Sequence, residues 1–472
     1  MQISLVFFPA WSAGHLTSML EFSKLLLTTN ADVNISITFL LIKLPYRTFS
    51  SASLASMESL SSSGLQVHFH QLPEVDLPEN SDGPEDTAST YFQLYTPHVR
   101  AFLSSHPNPV SAFLIDFFAT SLIYVATEFS VPTFVYFTST ALMLGLNLHL
   151  PFLEKKIGVE FGQVEGEVEI PGVVSVPPGS MPTPLMDKKS RNYTWFVYHG
   201  RQFREAKGIV VNSVAELEPG VLSAMAEGRF VEGGIMPTVY LVGPILSLAD
   251  KGGGSSSRND ECLVWLDEQP KGSVLFLCFG SMGWFGVHQV REMATGLEQS
   301  GHRFLWSLRS MPAGDNHQPT DANLDEVLPE GFLERTKDRG MVWPSWVPQV
   351  EVLSHASVGG FVTHCGWNSV LESLWFGVPM IAWPQYAEQH LNEVELVRDM
   401  GVAVGMEVDR KCGNFVTAAE LERGVRCLMG ESEESRRVRA KVADMKVAIR
   451  NALKEGGSSY TNLKKLAKDS CC

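Results

Sequence analysis

Between residues 346 and 389 the chain twice runs a short apolar strand straight into a helix. The first strand, GGFVTH, ends at His364 and passes through the turn CGWNS into an amphipathic helix carrying Glu372. The second, VPMIAWP, delivers Glu388 and Gln389 to a further helix start. Strands joined through helices run parallel, because only a long crossover returns the chain to the same end of a sheet. Such corners lie at the carboxyl edge of the sheet, where open α/β folds hold ligands, and a helix starting there offers unpaired N–H groups to an anion.

The same alternation organises the rest of the chain. Residues 3–8 (ISLVFF) read as a strand, and after PAWSAGH the positions Leu16, Met19, Leu20, Phe22 and Leu25 to Leu27 recur at helical spacing. Further strand-like runs lie near 33–41, 65–72, 111–116 and 133–138. A second set begins at 274–279, leads through GSMG into a helix from about 288, and continues at 303–309 and 401–406. Between the sets, DKGGGSSSRND (250–260) has the composition of a flexible linker. The stretches 73–87 and 170–190 read as loops, and loops that long are usually functional or mobile, while 312–323 reads as a polar insertion. A chain of 472 residues exceeds one ordinary core. The expected fold class is therefore α/β, with two doubly wound, Rossmann-like domains: residues 1–247 and 248–455, followed by a final helix in 456–472.

A net charge of −15 argues against a nucleic-acid partner, which wants a basic face. It does not exclude an anionic nucleotide, whose site helix ends and oriented N–H groups can make locally positive. Seven cysteines at 262, 278, 365, 412, 427, 471 and 472 form no metal quartet and are odd in number, which suggests a reducing compartment. Cys471 and Cys472 match no prenylation box and read as an exposed tail. The amino-terminal segment reads as a first strand and not a signal peptide, and no apolar run reaches membrane-spanning length. A cytoplasmic monomer is expected.

Two residues stand where chemistry is done. His15 lies where the first strand gives way to the first helix, and a helix N-terminus disfavours imidazolium, leaving a ring able to accept a proton. Asp116 ends SAFLID among Leu114, Ile115, Phe117 and Phe118, where an unpaired charge costs several kcal/mol. The two would make a dyad, the imidazole taking a hydroxyl proton and the carboxylate orienting it. Against this stand a histidine that merely caps or packs and an aspartate satisfied by local N–H groups. His68 and His70 alternate on one strand, but no third ligand follows, so no metal site is expected. The run ESEESRRVRAKVADMK (431–446) reads as a solvated helix with i,i+4 pairing. Tyr193, Trp195, Phe196 and Tyr198 either line an apolar pocket or pack in the core.

The segment from Trp346 through HCGWNS and Glu372 to Glu388 and Gln389 resembles the signature box of plant UDP-dependent glycosyltransferases acting on small molecules. PAWSAGHL and AFLIDFF resemble that family's segments for the catalytic histidine and its aspartate partner. The resemblance implies a fold of the GT-B type, with the two domains facing across a cleft and the last helix returning to the first domain. It implies that Trp346 stacks on uracil, that Val347 reads the base edge through its main chain, and that Gln349 and Glu372 address the ribose. His364, Gly366, Asn368 and Ser369, assisted by Ser281, would hold the diphosphate, while Trp367, Glu388 and Gln389 meet the sugar. Gly14 and Thr138 would touch the donor from the first domain, and Trp11, Phe117, Phe118 and Trp195 would meet the acceptor. Taken singly these signals are weak: a tryptophan is usually core, Glu372 a solvated face, and FGSMG neither a P-loop nor a dinucleotide fingerprint.

The reaction implied is inverting and metal-independent, with no cofactor beyond UDP-glucose as co-substrate. A hydroxyl of a small apolar acceptor (flavonoid, lignan, phenolic or triterpenoid) would become a β-glucoside. A closing glutamine is the family pattern associated with glucose. The alternatives are a nucleotide-sugar-binding protein without transfer activity, a transferase using a different UDP-sugar, and, more weakly, a nicotinamide-dependent oxidoreductase.

Overall fold

The computed structural model describes residues 3–42, 49–78, 80–248, 260–312 and 318–471. Nearly all of the expected linker 250–260, part of the polar insertion (313–317) and Cys472 lie outside them. The chain divides into two compact units, Met1–Ser247 with Ile449–Cys472, and Leu248–Ala448.

In the first unit, β1 (Ile3–Phe8), β2 (Ile35–Leu41), β3 (Val67–Gln71), β4 (Ala112–Asp116), β5 (Thr133–Phe137), β6 (Gly208–Val211) and β7 (Thr238–Leu241) form one sheet in the order 3-2-1-4-5-6-7. All six pairings are parallel. Strands β1, β4 and β5 are buried along their whole length, which is why they read as unbroken apolar runs: helices cover both faces of a parallel sheet. On one face the helix Ala13–Thr29 supplies Leu16, Met19, Leu20, Phe22 and Leu26 to the core. The helix Ser458–Asp469 adds Leu463, Leu466 and Ala467 to that same core. It is tied down by bonds from Ser459 Oγ to the Gly243 carbonyl (2.5 Å), from Asn462 Nδ2 to the Leu241 carbonyl (2.9 Å), and from Tyr240 to Asp469 (2.6 Å).

In the second unit, β8 (Val274–Cys278), β9 (Arg303–Ser307), the hairpin β10 (Arg309–Ser310) and β11 (Thr320–Asp321), β12 (Gly340–Trp343), β13 (Val358–Thr363), β14 (Met380–Ala382) and β15 (Ala403–Gly405) follow in turn. Six of them make a parallel sheet in the order 12-9-8-13-14-15. Both sheets reverse their strand order once, between β1 and β4 and between β8 and β13. Crossovers leave toward opposite faces at that point, opening a crevice at the carboxyl ends.

Some expectations change. The polar stretch 73–87 is not loop throughout, because the helix Pro84–Leu94 starts inside it with proline in its first turn. Within 170–190 lie two short 3₁₀ turns, Pro178–Ser180 and Thr183–Leu185. The charged run forms the helix Glu433–Ala452, but it is not simply solvated: Arg439 turns inward to donate to the carbonyls of Gly359 (3.0 Å) and Leu428 (2.9 Å). His68 and His70 are exposed on the edge strand β3, and among the described residues no group of three His, Cys, Asp or Glu side chains could hold a metal. Among those residues no helix is long and apolar enough to cross a membrane.

Candidate active site

The switch point of the first sheet carries His15 and Asp116. His15 follows β1 in the first turn of its helix, and Asp116 is the last residue of β4. Because β1 and β4 are neighbours in register, Phe8 beside Ile115, both side chains emerge at one edge. His15 Nδ1 lies 2.7 Å from Asp116 Oδ2, with the imidazole 21% and the carboxylate 0% exposed. The other carboxylate oxygen accepts from the backbone N–H of Phe118 at 3.1 Å and caps the turn Phe117–Leu122. The two readings of Asp116 are thus both true: one oxygen is satisfied locally and the other holds the histidine. With Nδ1–H donating to Asp116, Nε2 sits on the opposite ring edge as the basic nitrogen. The rings of Phe117 and Phe118 lie against the imidazole at 5.5 and 5.8 Å.

The other first-unit residues are more dispersed. Trp11 packs edge-on against Tyr91 and beside Phe92. Gly14 is exposed next to His15, and half-buried Thr138 directly follows β5. Tyr193 and Phe196 are core, whereas Trp195 and Tyr198 stay half-buried.

At the switch point of the second sheet the corners after β8 and β13 come together around His364. An added Cβ on Gly280 would stand 2.7 Å from its Nε2, and one on Gly366 would stand 2.4 Å away, so the ring is cradled by two glycines. Gly280 also has a φ of +73°, open to glycine at no steric cost. Burial lowers the His364 pKa to about 4, so the ring is neutral at pH 7, and its Nδ1 has no hydrogen-bond partner among the described residues. Gly366 is the N-cap of the helix Trp367–Phe376 and supplies no side-chain cap, and the dipole at such a helix start favours an anion. Trp367 and Ser369 are buried in its first turn and Asn368 is half-buried. Ser281 lies exposed in the turn after β8.

A second cluster joins the first turn of the helix Gln349–Ser354 to the same long helix. Gln349 Nε2 donates to Ser369 Oγ at 2.9 Å and to Glu372 Oε2 at 2.6 Å, while its Oε1 is buried without a partner among the described residues. Glu372 is partly exposed as a residue, yet its carboxyl is enclosed, and burial raises its pKa to about 7. Trp346 is 45% exposed, whereas Val347 is buried. Half-buried Glu388 and buried Gln389 open the helix Gln389–Val394. The Gln389 carbonyl accepts from the backbone N–H groups of Gln385 (3.0 Å) and Tyr386 (3.1 Å). Toward a ligand Gln389 can therefore act only as a donor, through its amide N–H groups.

Sequence reasoning missed Asn392, whose Nδ2 donates to the Cys365 carbonyl at 2.9 Å and holds that residue at a φ of +65°. A partner 27 positions away leaves no local signal.

A family model described as UDP-glucoronosyl and UDP-glucosyl transferase matches residues 242–432. A malvidin galactosylase of Oryza sativa subsp. indica is 47% identical over 99% of this chain and 97% of its own length. An anthocyanidin 5,3-O-glucosyltransferase of a Rosa hybrid cultivar is 40% identical over 98% of each. Among solved structures, Phytolacca americana UGT2 complexed with UDP-2-fluoro-glucose and pterostilbene matches with a TM-score of 0.86 and 35% identity over 100% of both chains. A Medicago truncatula relative complexed with UDP-glucose matches with a TM-score of 0.85 and 37% identity, covering 100% of this chain and 99% of that one.

Proposed function

The chain belongs to the plant UDP-glycosyltransferases, enzymes of the GT-B fold, and from that premise we propose that it transfers glucose from UDP-glucose to a phenolic hydroxyl of a small plant metabolite. The observation that carries this reading is the bonded His15–Asp116 pair at the switch point of the first sheet. His15 Nε2 takes the proton of the acceptor hydroxyl as the oxygen forms its bond to the anomeric carbon. The bond from that carbon to the UDP oxygen breaks on the opposite face, so an α-linked donor gives a β-glucoside. Asp116, already bonded to Nδ1, stabilises the imidazolium that results.

The residues of the second unit bind and release the nucleotide. Trp346 offers its exposed face to uracil, a stack worth about 1–3 kcal/mol. Glu372 and Gln349 take the ribose hydroxyls. The N-terminus of the helix Trp367–Phe376, with His364 and Ser369, stabilises the charge that gathers on the departing diphosphate. Glu388 accepts from sugar hydroxyls and Gln389 donates to them, since its carbonyl is already used.

A UDP-release assay with UDP-glucose and a panel of phenols tests the proposal. His15→Ala is expected to lose nearly all turnover, on the order of a thousandfold, while still binding UDP. Unchanged turnover would remove the imidazole from the mechanism. Galactose is the second reading, favoured by the name of the rice relative. Comparing kcat/KM for UDP-glucose and UDP-galactose decides between them, and a preference for galactose would refute the glucose assignment.

A further inference from the structure

Three segments of the first unit meet around one buried imidazole that the reaction above does not use. His199, in the helix Arg191–Gln202, is 1% exposed. Its Nδ1 lies 2.6 Å from Thr120 Oγ1 and its Nε2 lies 2.9 Å from Ser89 Oγ. The Ser89 hydroxyl gives its proton to the Glu85 carbonyl at 2.8 Å, so toward the ring it accepts. The ring therefore carries its proton on Nε2 and receives the Thr120 proton at Nδ1. Burial keeps this form neutral by lowering the pKa to about 3. Thr120 lies inside the turn Phe117–Leu122, so this bond holds the middle of the turn as the Asp116–Phe118 bond holds its start.

The rings follow the same path. His15 stacks on Phe118 (5.8 Å), Phe118 meets His199 edge-on (6.1 Å), and His199 stacks on Trp195 (5.5 Å). At the far end the Trp195 indole donates to Asp86 Oδ1 at 2.9 Å. That buried carboxylate also accepts from Arg191 Nη2 (2.8 Å) and from the backbone N–H of Asp82 (2.9 Å). Phe118 and Trp195 remain half-buried, not sealed into the core.

We infer that His199 is a positioning residue for the acceptor: it locks Phe118 and Trp195 into one aromatic surface, beginning at the His15 base, that receives a flat phenolic ring. The inference rests on the glycosyl-transfer reading and adds the element that orients the acceptor. His199 itself touches no reacting atom. Its loss lets the surface shift, which costs alignment more than chemistry.

The test compares wild type with His199→Phe, which keeps a ring without hydrogen bonds, with Thr120→Val, and with His199→Gln, which still donates to Ser89. Measured are KM and kcat for a polyphenol with several hydroxyls, the ratio of product isomers, and KM for UDP-glucose. His199→Phe and Thr120→Val are expected to raise acceptor KM on the order of tenfold and to change the isomer ratio. The UDP-glucose KM should stay within about twofold, and His199→Gln should recover part of the loss. An unchanged acceptor KM and isomer ratio in either variant would overturn the inference, as would equal losses toward donor and acceptor. If His199→Phe does not fold, Thr120→Val decides. Absence of UDP release by the wild type from both UDP-glucose and UDP-galactose with every phenol would refute glycosyl transfer instead, and phenol binding followed by tryptophan fluorescence then still decides on His199.

Discussion

The Glu372 carboxyl, held by burial at about 7, is half ionised at neutral pH, whereas an ordinary glutamate near 4.5 would be fully charged. On the proposed ribose contact the hydroxyls donate to the anion, so UDP affinity should fall as pH drops below 7 and level off above it. Glu372→Gln should bind more weakly and without that slope, a difference that calorimetry between pH 5.5 and 8.5 reads directly. The same shift acts on stability with the opposite sense. A carboxyl whose folded pKa is raised favours the fold fully below about 4.5 and loses that contribution as pH rises through about 7. The loss amounts to roughly 3 kcal/mol. Nucleotide-free Glu372→Gln should therefore melt higher than wild type at pH 8 and equal to it near pH 5. A variant with the same Tm difference at both pH values would contradict the raised carboxyl.

The helix Trp367–Phe376 approaches the His364 ring only because its N-cap is glycine. The Gly366 φ of −64° suits any residue, so alanine there meets no backbone strain, only the imidazole 2.4 Å from its Cβ. Gly366→Ala should cost about 1–3 kcal/mol in stability through overpacking. UDP affinity should fall with it, on the order of tenfold, and a melting curve beside a binding isotherm checks both. Elements of this kind were legible where the pattern was long. The strands β1, β4, β8 and β13 are five or six residues of buried apolar chain, and each was readable from its run and the turn after it. Strands β6, β7 and β12 have four residues each, too few to display a period, and they exist because neighbours complete their hydrogen bonds. The helix at Pro84 hid for a related reason. Its first turn is acidic and proline-led, like the loop before it, and only burial of Tyr91 and Phe92 shows which side faces the core.

At the scale of the molecule the carboxyl-terminal helix ties the ends of the chain into one core. Leu466 is 3% exposed among Leu5, Phe7, Phe22 and Leu114. Leu466→Ala should cost about 2–5 kcal/mol, seen as a lower melting transition of the first unit. UDP binding, proposed for the second unit, should be unchanged at low temperature. A loss of UDP affinity without a change in melting would contradict this division. The return begins at Ile449, inside the helix Glu433–Ala452, and no composition change marks it.

Sequence alone settled the architecture and the family. Strand runs, helical spacing and the residues from Trp346 to Gln389 are local patterns, and the physics that makes them strands, turns and helix starts acts between near neighbours. Tertiary structure decided the partnerships: His15 with Asp116 across 101 positions, Gln349 with Glu372 across 23, and His199 with Thr120 across 79. It also set which side chains lose their water, and hence the pKa values of Glu372, His364 and His199. Burial and pairing belong to the folded chain, because desolvation depends on which distant segments pack against a group.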